Sequence, residues 1–200
     1  MCLKYEIFGG LEIDPRSGYG ITDLVRLFLI ISKGPAGRTV IMRELGVGEA
    51  TAKTIIKFLS GKGLIEQGTR GICPSKKGLD VFSICSSFSD MKEIHIPEFS
   101  DKPAVALVVR GAAGSVRSGI EQRDEGVKFG AKIVTLVKKS GGLSLAGIHD
   151  YQLPYKNVID GVLDTKENDT VIISSADSKP DAERGAIAAG LKTISERHHP

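Results

Sequence analysis

The spacing of apolar residues changes abruptly at Gly63, and this change constrains the fold more than any other feature of the chain. Before Gly63 the apolar residues recur every three or four positions, which predicts an amphipathic helix over residues 49–62. Its apolar face consists of Ala52, Ile55, Ile56 and Leu59. After Gly63 the apolar residues alternate with polar ones, so LIEQ and ICPSK predict two strands joined by the tight turn GTRG.

Further helices are predicted on both sides of this helix and hairpin. A helix over residues 24–32 begins after Thr22 or Asp23, and a short helix from Thr39 ends at Gly46. A last helix is predicted over residues 77–88. The residues of that helix expected to face the core are Leu79, Phe82 and Cys85.

In this order, the elements of residues 21–90 resemble those of the winged helix-turn-helix family. The resemblance implies a DNA-binding domain in which the helix 49–62 enters the major groove. The turn at 68–71 would be the tip of the wing, on the minor groove or the phosphate backbone. Residues 1–20 are rich in turn-forming residues and are predicted to form an extended arm.

The second half of the chain contains an internal repeat. Residues 91–103 are polar, include two prolines and are interpreted as a linker. Over residues 104–200, the strand AVALVVRG, a helix and the strand GAKIVTLVKK are followed by DTVIISS, a second helix and a strand GLKTI from Gly190. KKSGGLSLAG predicts a hairpin. The whole chain is therefore expected to be α+β, with a C-terminal two-layer α/β sandwich built from repeated strand-helix-strand units.

Part of this second half resembles the GAD domain, an insertion domain of bacterial aspartyl-tRNA synthetases. The residues that carry the resemblance are Asp124, Gly130-Ala131-Lys132, Asp169 and Ala176-Asp177. That module has no catalytic residues to carry over, so the resemblance implies a fold and a binding class. Together, the two halves are also similar to a group of uncharacterised archaeal proteins.

Composition and charge narrow the possible functions. Hydrophobic residues make up 41% and charged residues 26% of the 200-residue chain, as in ordinary globular proteins. The N-terminal sequence lacks the apolar stretch of a signal peptide and there is no long apolar run, so we expect a cytoplasmic protein without a membrane span. Residues 38–77 carry eight basic and three acidic side chains, a basic region of the kind that attracts a phosphate backbone.

The outer face of the helix 49–62 supplies the first candidate DNA contacts. Lys53 could reach a guanine edge, Thr54 and Ala50 could touch bases, Lys57 could bind phosphate, and Thr51 near the helix start suits a phosphate. In the wing, Thr69 and Arg70 stand at the tip. Arg38 and Lys76 are further candidate backbone contacts. The alternative is a helix whose outer face is merely solvated and a turn whose arginine is merely exposed.

The loop RGAAGSVRSG follows a strand and precedes a helix, so it is a candidate anion site with Arg110, Ser115 and Arg117 as ligands. It matches neither a dinucleotide-binding nor a P-loop motif, and a flexible connection explains it equally well. His149-Asp150 has no nucleophile at a recognisable spacing, and the three cysteines form no metal motif. We therefore expect no enzyme activity, no metal and no cofactor.

These features lead to one main hypothesis and one alternative. The main hypothesis is a DNA-binding transcriptional regulator that acts on double-stranded DNA as a homodimer, with the C-terminal domain responsible for dimerisation and for sensing a small effector. The alternative, raised by the synthetase resemblance, is an RNA- or tRNA-associated binding module. Against the alternative, VALVV and TVIIS are aliphatic and offer no aromatic platform for bases.

Overall fold

The chain folds as two units, Met1–Ser86 and Ser87–Pro200, each with its own sheet and helices. The computed structural model describes residues 8, 11–14, 16–99, 101–148, 151 and 153–198, except for the side chains at 90, 98 and 198. The predicted α+β class is confirmed. Residues 1–7, 9, 10 and 15 of the predicted arm lie outside the described residues, as does the pair His149-Asp150.

The first unit contains its helices and hairpin in the predicted order. They are α1 (Ile21–Ser32), α2 (Arg38–Leu45), α3 (Glu49–Gly61), β1 (Ile65–Gly68), β2 (Gly71–Pro74) and α4 (Lys76–Val81), followed by a 3-10 turn at Ser83–Ser87. Helix α1 starts slightly earlier than predicted, with Gly20 as its N-cap, and the Asp23 carboxylate accepts a hydrogen bond from the Gly20 N–H (2.9 Å). As predicted, Gly46 ends α2, with a left-handed φ of 64°.

The apolar faces of α1 and α3 form the core of the first unit. Leu24, Leu27, Phe28 and Ile31 of α1 are buried as predicted, as are Ala52, Ile55 and Leu59 of α3, whereas Ile56 is only half-buried. Phe82 stacks on Phe28 with 3.7 Å between ring centroids. The prediction for Leu79 is wrong, because its side chain is 53% exposed. Helix α4 instead turns Gly78 inward, where a Cβ would lie 1.9 Å from the carbonyl oxygen of Leu64.

The second unit is built around one antiparallel sheet. Its elements are β3 (Phe88–Glu93), β4 (Ala104–Val109), α5 (Ile120–Val127), β5 (Lys132–Lys139), β6 (Gly142–Leu145), α6 (Lys156–Val162), β7 (Thr170–Ser175) and α7 (Lys179–Ser195). The strand order is β3-β4-β7-β5-β6. Strand β7 pairs with β4 on one side and β5 on the other, so it lies between the two strands of the first predicted repeat. The predicted hairpin is β5-β6, in which Lys139 pairs with Gly142.

Each face of this sheet packs against different segments. On one face, Ala106, Val108 and Ile173 form a core with Ile159 of α6 and with the segment at 94–99. The other face lies under α5 and α7, whose glycines allow close approach. A Cβ at Gly126 would lie 2.2 Å from the Ile133 side chain.

Two predictions for the second half are corrected. The strand expected from Gly190 is absent, because residues 190–194 continue α7. The predicted linker 91–103 overlaps β3, which pairs with β4, and the chain after β3 buries Ile94, Ile96 and Phe99 in the sheet's core. These residues are part of the second unit, so residues 91–103 do not form a free linker.

Candidate nucleic-acid interface

The outer face of α3 carries the residues that are predicted from the sequence to contact DNA. Ala50, Lys53, Thr54 and Lys57 are all exposed, and Thr51 is half-buried. The opposite face of the same helix is locked into the core by three fully buried side chains. One face of the helix is therefore packed against the core, and its outer face is exposed to solvent.

The charges on this face are not neutralised within the unit. Among the residues that the structure describes, Lys53 and Lys57 have no ion-pair partner. The nearby acidic side chains pair with arginines instead: Arg38 lies 3.9 Å from Glu49, and Arg43 lies 2.8 Å from Glu44. These exposed pairs are weak, but they leave the lysines of α3 as the cations available to an incoming anion.

The polar groups at the start of α3 differ in the hydrogen bonds that they can offer to a partner. The Thr54 hydroxyl donates to the carbonyl oxygen of Ala50 (2.9 Å), so it offers a partner an acceptor oxygen and a methyl group rather than a proton. Gly48 is the N-cap and provides no side-chain cap, so the first N–H groups of the helix are open to an anion near Thr51. Glu49 stands at the same end and would have to remain against Arg38 when a phosphate binds there.

The β1-β2 hairpin, which the sequence predicts to be a wing, is anchored at its base and exposed at its tip. Thr69 and Arg70 form the turn between β1 and β2, and both are exposed. Behind them, the N–H of Ile72 donates to the carbonyl of Ala36 (2.9 Å), and the N–H of Ala36 donates back (3.0 Å). Gly71 has a φ of 128° and touches Ala36 so closely that a Cβ would lie 2.8 Å from its carbonyl carbon. A side chain at position 71 would therefore push the wing off its anchor.

Lys76 is the first residue of α4 and is exposed beyond the end of the wing. The neighbouring Lys77 is held differently, since its Nζ donates to the carbonyl oxygen of Lys62 (2.9 Å). Ser75 fixes the start of α4: its hydroxyl accepts from the Gly78 N–H (2.9 Å) and donates to the Gly63 carbonyl (2.6 Å). These bonds tie the hairpin's exit to the end of α3.

Sequence reasoning missed the residue that fixes the turn before α3. The Arg26 side chain is 1% exposed, and its guanidinium donates to the carbonyl oxygens of Leu45 (2.8 Å) and Glu44 (2.7 Å) at the end of α2. The Asp23 carboxylate lies 3.8 Å from the same guanidinium. A cation thus satisfies the final carbonyls of α2 and holds the α2–α3 turn against α1. The only signal in the sequence is a charged residue within the apolar stripe of α1.

In the second unit, Arg110 is already engaged by its own chain. Its guanidinium donates to Asp169 (2.6 Å), to Ser89 (2.7 Å) and to the Asp164 carbonyl (2.8 Å). Burial lowers the pKa of Arg110, but the hydrogen bonds and charges of Asp169 and Asp164 together outweigh burial, so the pKa is raised. Arg110 can therefore bind an anion only by breaking these contacts.

The other two residues predicted with Arg110 occupy the following loop. Ser115 is half-buried at the end of the 3-10 turn Ala113–Ser115, and Arg117 is exposed. Within the described part of the chain, no three His, Cys, Asp or Glu side chains are grouped so that they could hold a metal ion. In the same part, no helix has the length and apolarity needed to cross a membrane.

Two comparisons with known proteins found a similarity. Residues 100–194 match the family described as "Domain of unknown function (DUF4443)", so the match falls within the second unit. The solved structure of hypothetical protein PH0730 from Pyrococcus horikoshii OT3 is similar, with a TM-score of 0.67 and 25% identity. That similarity covers 90% of this chain and 95% of the other. No curated protein matches. Neither match is described as a winged helix or a GAD domain, so those two resemblances remain interpretations of the sequence.

Proposed function

We propose that this protein is a DNA-binding transcriptional regulator. The observation that carries the proposal is the outer face of α3, where Lys53 and Lys57 are exposed and have no ion-pair partner among the described residues. They lie one turn apart on a helix whose other face is fully buried. A rigid helix with a basic, small-residue outer face has the properties needed to enter the major groove.

The contacts follow from the chemistry of each side chain. Lys53 donates to guanine O6 and N7, and the methyl groups of Ala50 and Thr54 face thymine methyls. Lys57 and the open N-terminus of α3 near Thr51 bind phosphates. Arg70 at the wing tip enters the minor groove or grips the backbone.

The second unit has a separate role in this proposal. One recognition helix reads only a few base pairs, so two half-sites are needed for useful specificity, and the second unit supplies dimerisation. Arg110 is held by ion pairs with Asp164 and Asp169, which makes it a weaker candidate for binding a small effector. Equilibrium sedimentation of the full chain would give a dimer mass under this proposal and a monomer mass if it is wrong.

The test compares two double variants with the same loss of charge. Lys53→Ala with Lys57→Ala removes the two lysines of α3, and Lys132→Ala with Lys139→Ala removes two exposed lysines of β5 as the control. Binding to a duplex selected by the purified protein from a random pool is measured by gel-shift titration at two salt concentrations. Because each lost phosphate contact lowers the salt slope by about 0.9, the first variant should bind more weakly and with a slope reduced by between about 1 and 2.

The control variant should bind like the wild type. If the α3 double variant binds DNA as tightly as the wild type at both salt concentrations, α3 is not the DNA-binding helix. If the protein retains tRNA in preference to duplex DNA on the same gels, the RNA-associated alternative is the better account.

A further inference from the structure

A surface cavity of about 720 Å³, largely open to solvent, lies within the first unit between Glu12, Asp14, Arg16, Ser17 and Tyr19 and the C-terminal half of α3. Its volume is within the range of small-molecule sites. One wall comes from the described part of the N-terminal arm, and the other is the outer face of α3 from Thr54 to Lys62. The cavity therefore shares residues with the proposed DNA-binding face.

The charged groups of the cavity leave two lysines free to hold an anion. Arg16 and Asp14 also line it, but they pair with each other, with Nη2 and Oδ2 3.2 Å apart. Lys57 and Lys62 have no ion pair among the described residues. Two ammonium groups against one remaining carboxylate, Glu12, favour an anionic ligand.

The other walls are aromatic and hydroxylic. The rings of Tyr19 and Phe58 lie 6.1 Å apart at an angle of 58°, and the Lys62 Nζ lies 5.9 Å from the Phe58 centroid. Ser17 donates to the Tyr19 carbonyl (3.2 Å) and Thr54 to the Ala50 carbonyl. Both hydroxyl oxygens can therefore accept hydrogen bonds from a ligand's own hydroxyl groups. Partial burial raises the pKa of Tyr19.

We propose that this cavity binds a nucleoside monophosphate. The phosphate lies against Lys57 and Lys62, the ribose hydroxyls donate to Ser17 and Thr54, and the base packs on the two rings. Glu12 accepts a hydrogen bond from an exocyclic amino group, which favours adenine, cytosine or guanine over uracil. A bare anion would leave the aromatic wall unused, and an uncharged ring would leave the lysines unused.

This site would regulate DNA binding if the proposed function holds, on which this consequence rests. Thr54 and Lys57 cannot serve the nucleotide and the DNA together, so each ligand should weaken the binding of the other by the same factor. The effector would then act directly on α3.

The experiment titrates the full-length protein with three probes in a calorimeter: AMP, adenosine and ribose 5-phosphate. AMP should bind about tenfold or more tightly than either fragment, because base stacking and phosphate pairing each contribute. Tyr19→Leu should weaken AMP binding about tenfold while leaving duplex DNA binding unchanged, since Tyr19 is not a proposed DNA contact. Lys62→Ala provides a second variant, with the same expectation for AMP, if Tyr19→Leu fails to fold by circular dichroism.

The outcomes separate this proposal from the proposed function. If no heat is observed up to about 5 mM AMP, or if ribose 5-phosphate binds as well as AMP, the site is refuted, whether or not the protein binds DNA. If AMP binds and responds to Tyr19→Leu but the protein binds no DNA, the site stands and the proposed function fails. If AMP binding is unchanged in both variants, the nucleotide lies elsewhere and this assignment is wrong.

Discussion

Replacing Arg26 by methionine should destabilise the first unit far more than any change on its surface. Methionine keeps an apolar stem in the buried position but removes the guanidinium. The carbonyls of Leu45 and Glu44 then lose their donors at 2.8 and 2.7 Å, and the buried Asp23 carboxylate loses the cation 3.8 Å away. The turn that positions α3 depends on these contacts.

The expected cost follows from the burial of both charges. The Arg26 and Asp23 side chains are 1% and 6% exposed, and breaking a buried ion pair by removing one partner costs about 3–5 kcal/mol. Arg43→Met is the matched control, because Arg43 is 73% exposed and pairs with Glu44 at the surface. Loss of such a pair costs less than about 1 kcal/mol. Adding Asp23→Asn to Arg26→Met should restore part of the stability, because a neutral amide then replaces the buried carboxylate.

Hydrogen–deuterium exchange with mass spectrometry can measure this loss of stability in the first unit while the chain is kept whole. Peptides from α1 and α2 of Arg26→Met should exchange about a hundredfold faster or more, while peptides from α7 in the second unit stay unchanged. Arg43→Met should differ from the wild type by less than about tenfold. Equal protection in the two variants would show that Arg26 does not hold the α2–α3 turn.

Two further predictions test the packing of the first unit. Burial raises the pKa of the Cys85 thiol to about 12, so at pH 8 the thiol stays protonated, and iodoacetamide should label the half-buried Cys73 and leave Cys85 intact in the native protein. Equal labelling by mass spectrometry would contradict the burial of Cys85. Gly78→Ala should lower the free energy of unfolding by about 2 kcal/mol or more, since its Cβ would clash with a backbone carbonyl. Gly61→Ala, with open space around it, should be neutral or stabilising by about 0.5–1 kcal/mol, and comparable urea midpoints for the two variants would count against the structure.

Local periodicity was sufficient to predict the order of the elements in the first unit, although the last helix, predicted over residues 77–88, ends at Val81 and is followed by a 3-10 turn. The apolar residues of α3 repeat at helical spacing because one face of the helix is buried, and the tight turn at Thr69-Arg70 follows from its flanking glycines. The exposed candidate residues follow from the same periodicity, because what is not on the buried face must face outward. For that reason Lys53 and Lys57 could be placed correctly on the outer face from sequence alone.

The errors arose where tertiary packing gives a residue a different role. A strand is predicted to start at Gly190, but its missing side chain lets α7 continue and pack against Phe88 and Leu107, where a Cβ would lie 2.8 and 3.0 Å from their carbons. The linker prediction rested on polar residues and prolines, although Ile94 and Ile96 already alternate as buried residues do. In neither case does the local pattern reveal which surface the residue will meet.

The long-range contacts of charged residues could not be predicted either. Arg26 bonds carbonyls 18 and 19 residues away, and Arg110 pairs with Asp169, 59 residues away. Each contact depends on how separate elements pack, which the sequence pattern does not specify. For this reason the sequence pattern indicates Arg110 as a candidate anion ligand, although its guanidinium pairs with the chain's own carboxylates.

The most direct test of the proposed function is the position of DNA on the protein. Isotope-labelled full-length protein is titrated with a duplex that it selects from a random pool, and amide chemical shifts are followed by nuclear magnetic resonance. If the protein binds DNA as proposed, the largest shift changes should fall at residues 49–57 and 69–71, on the outer face of α3 and the tip of the wing. Changes confined to residues 104–195, or no change at any DNA concentration, would contradict it.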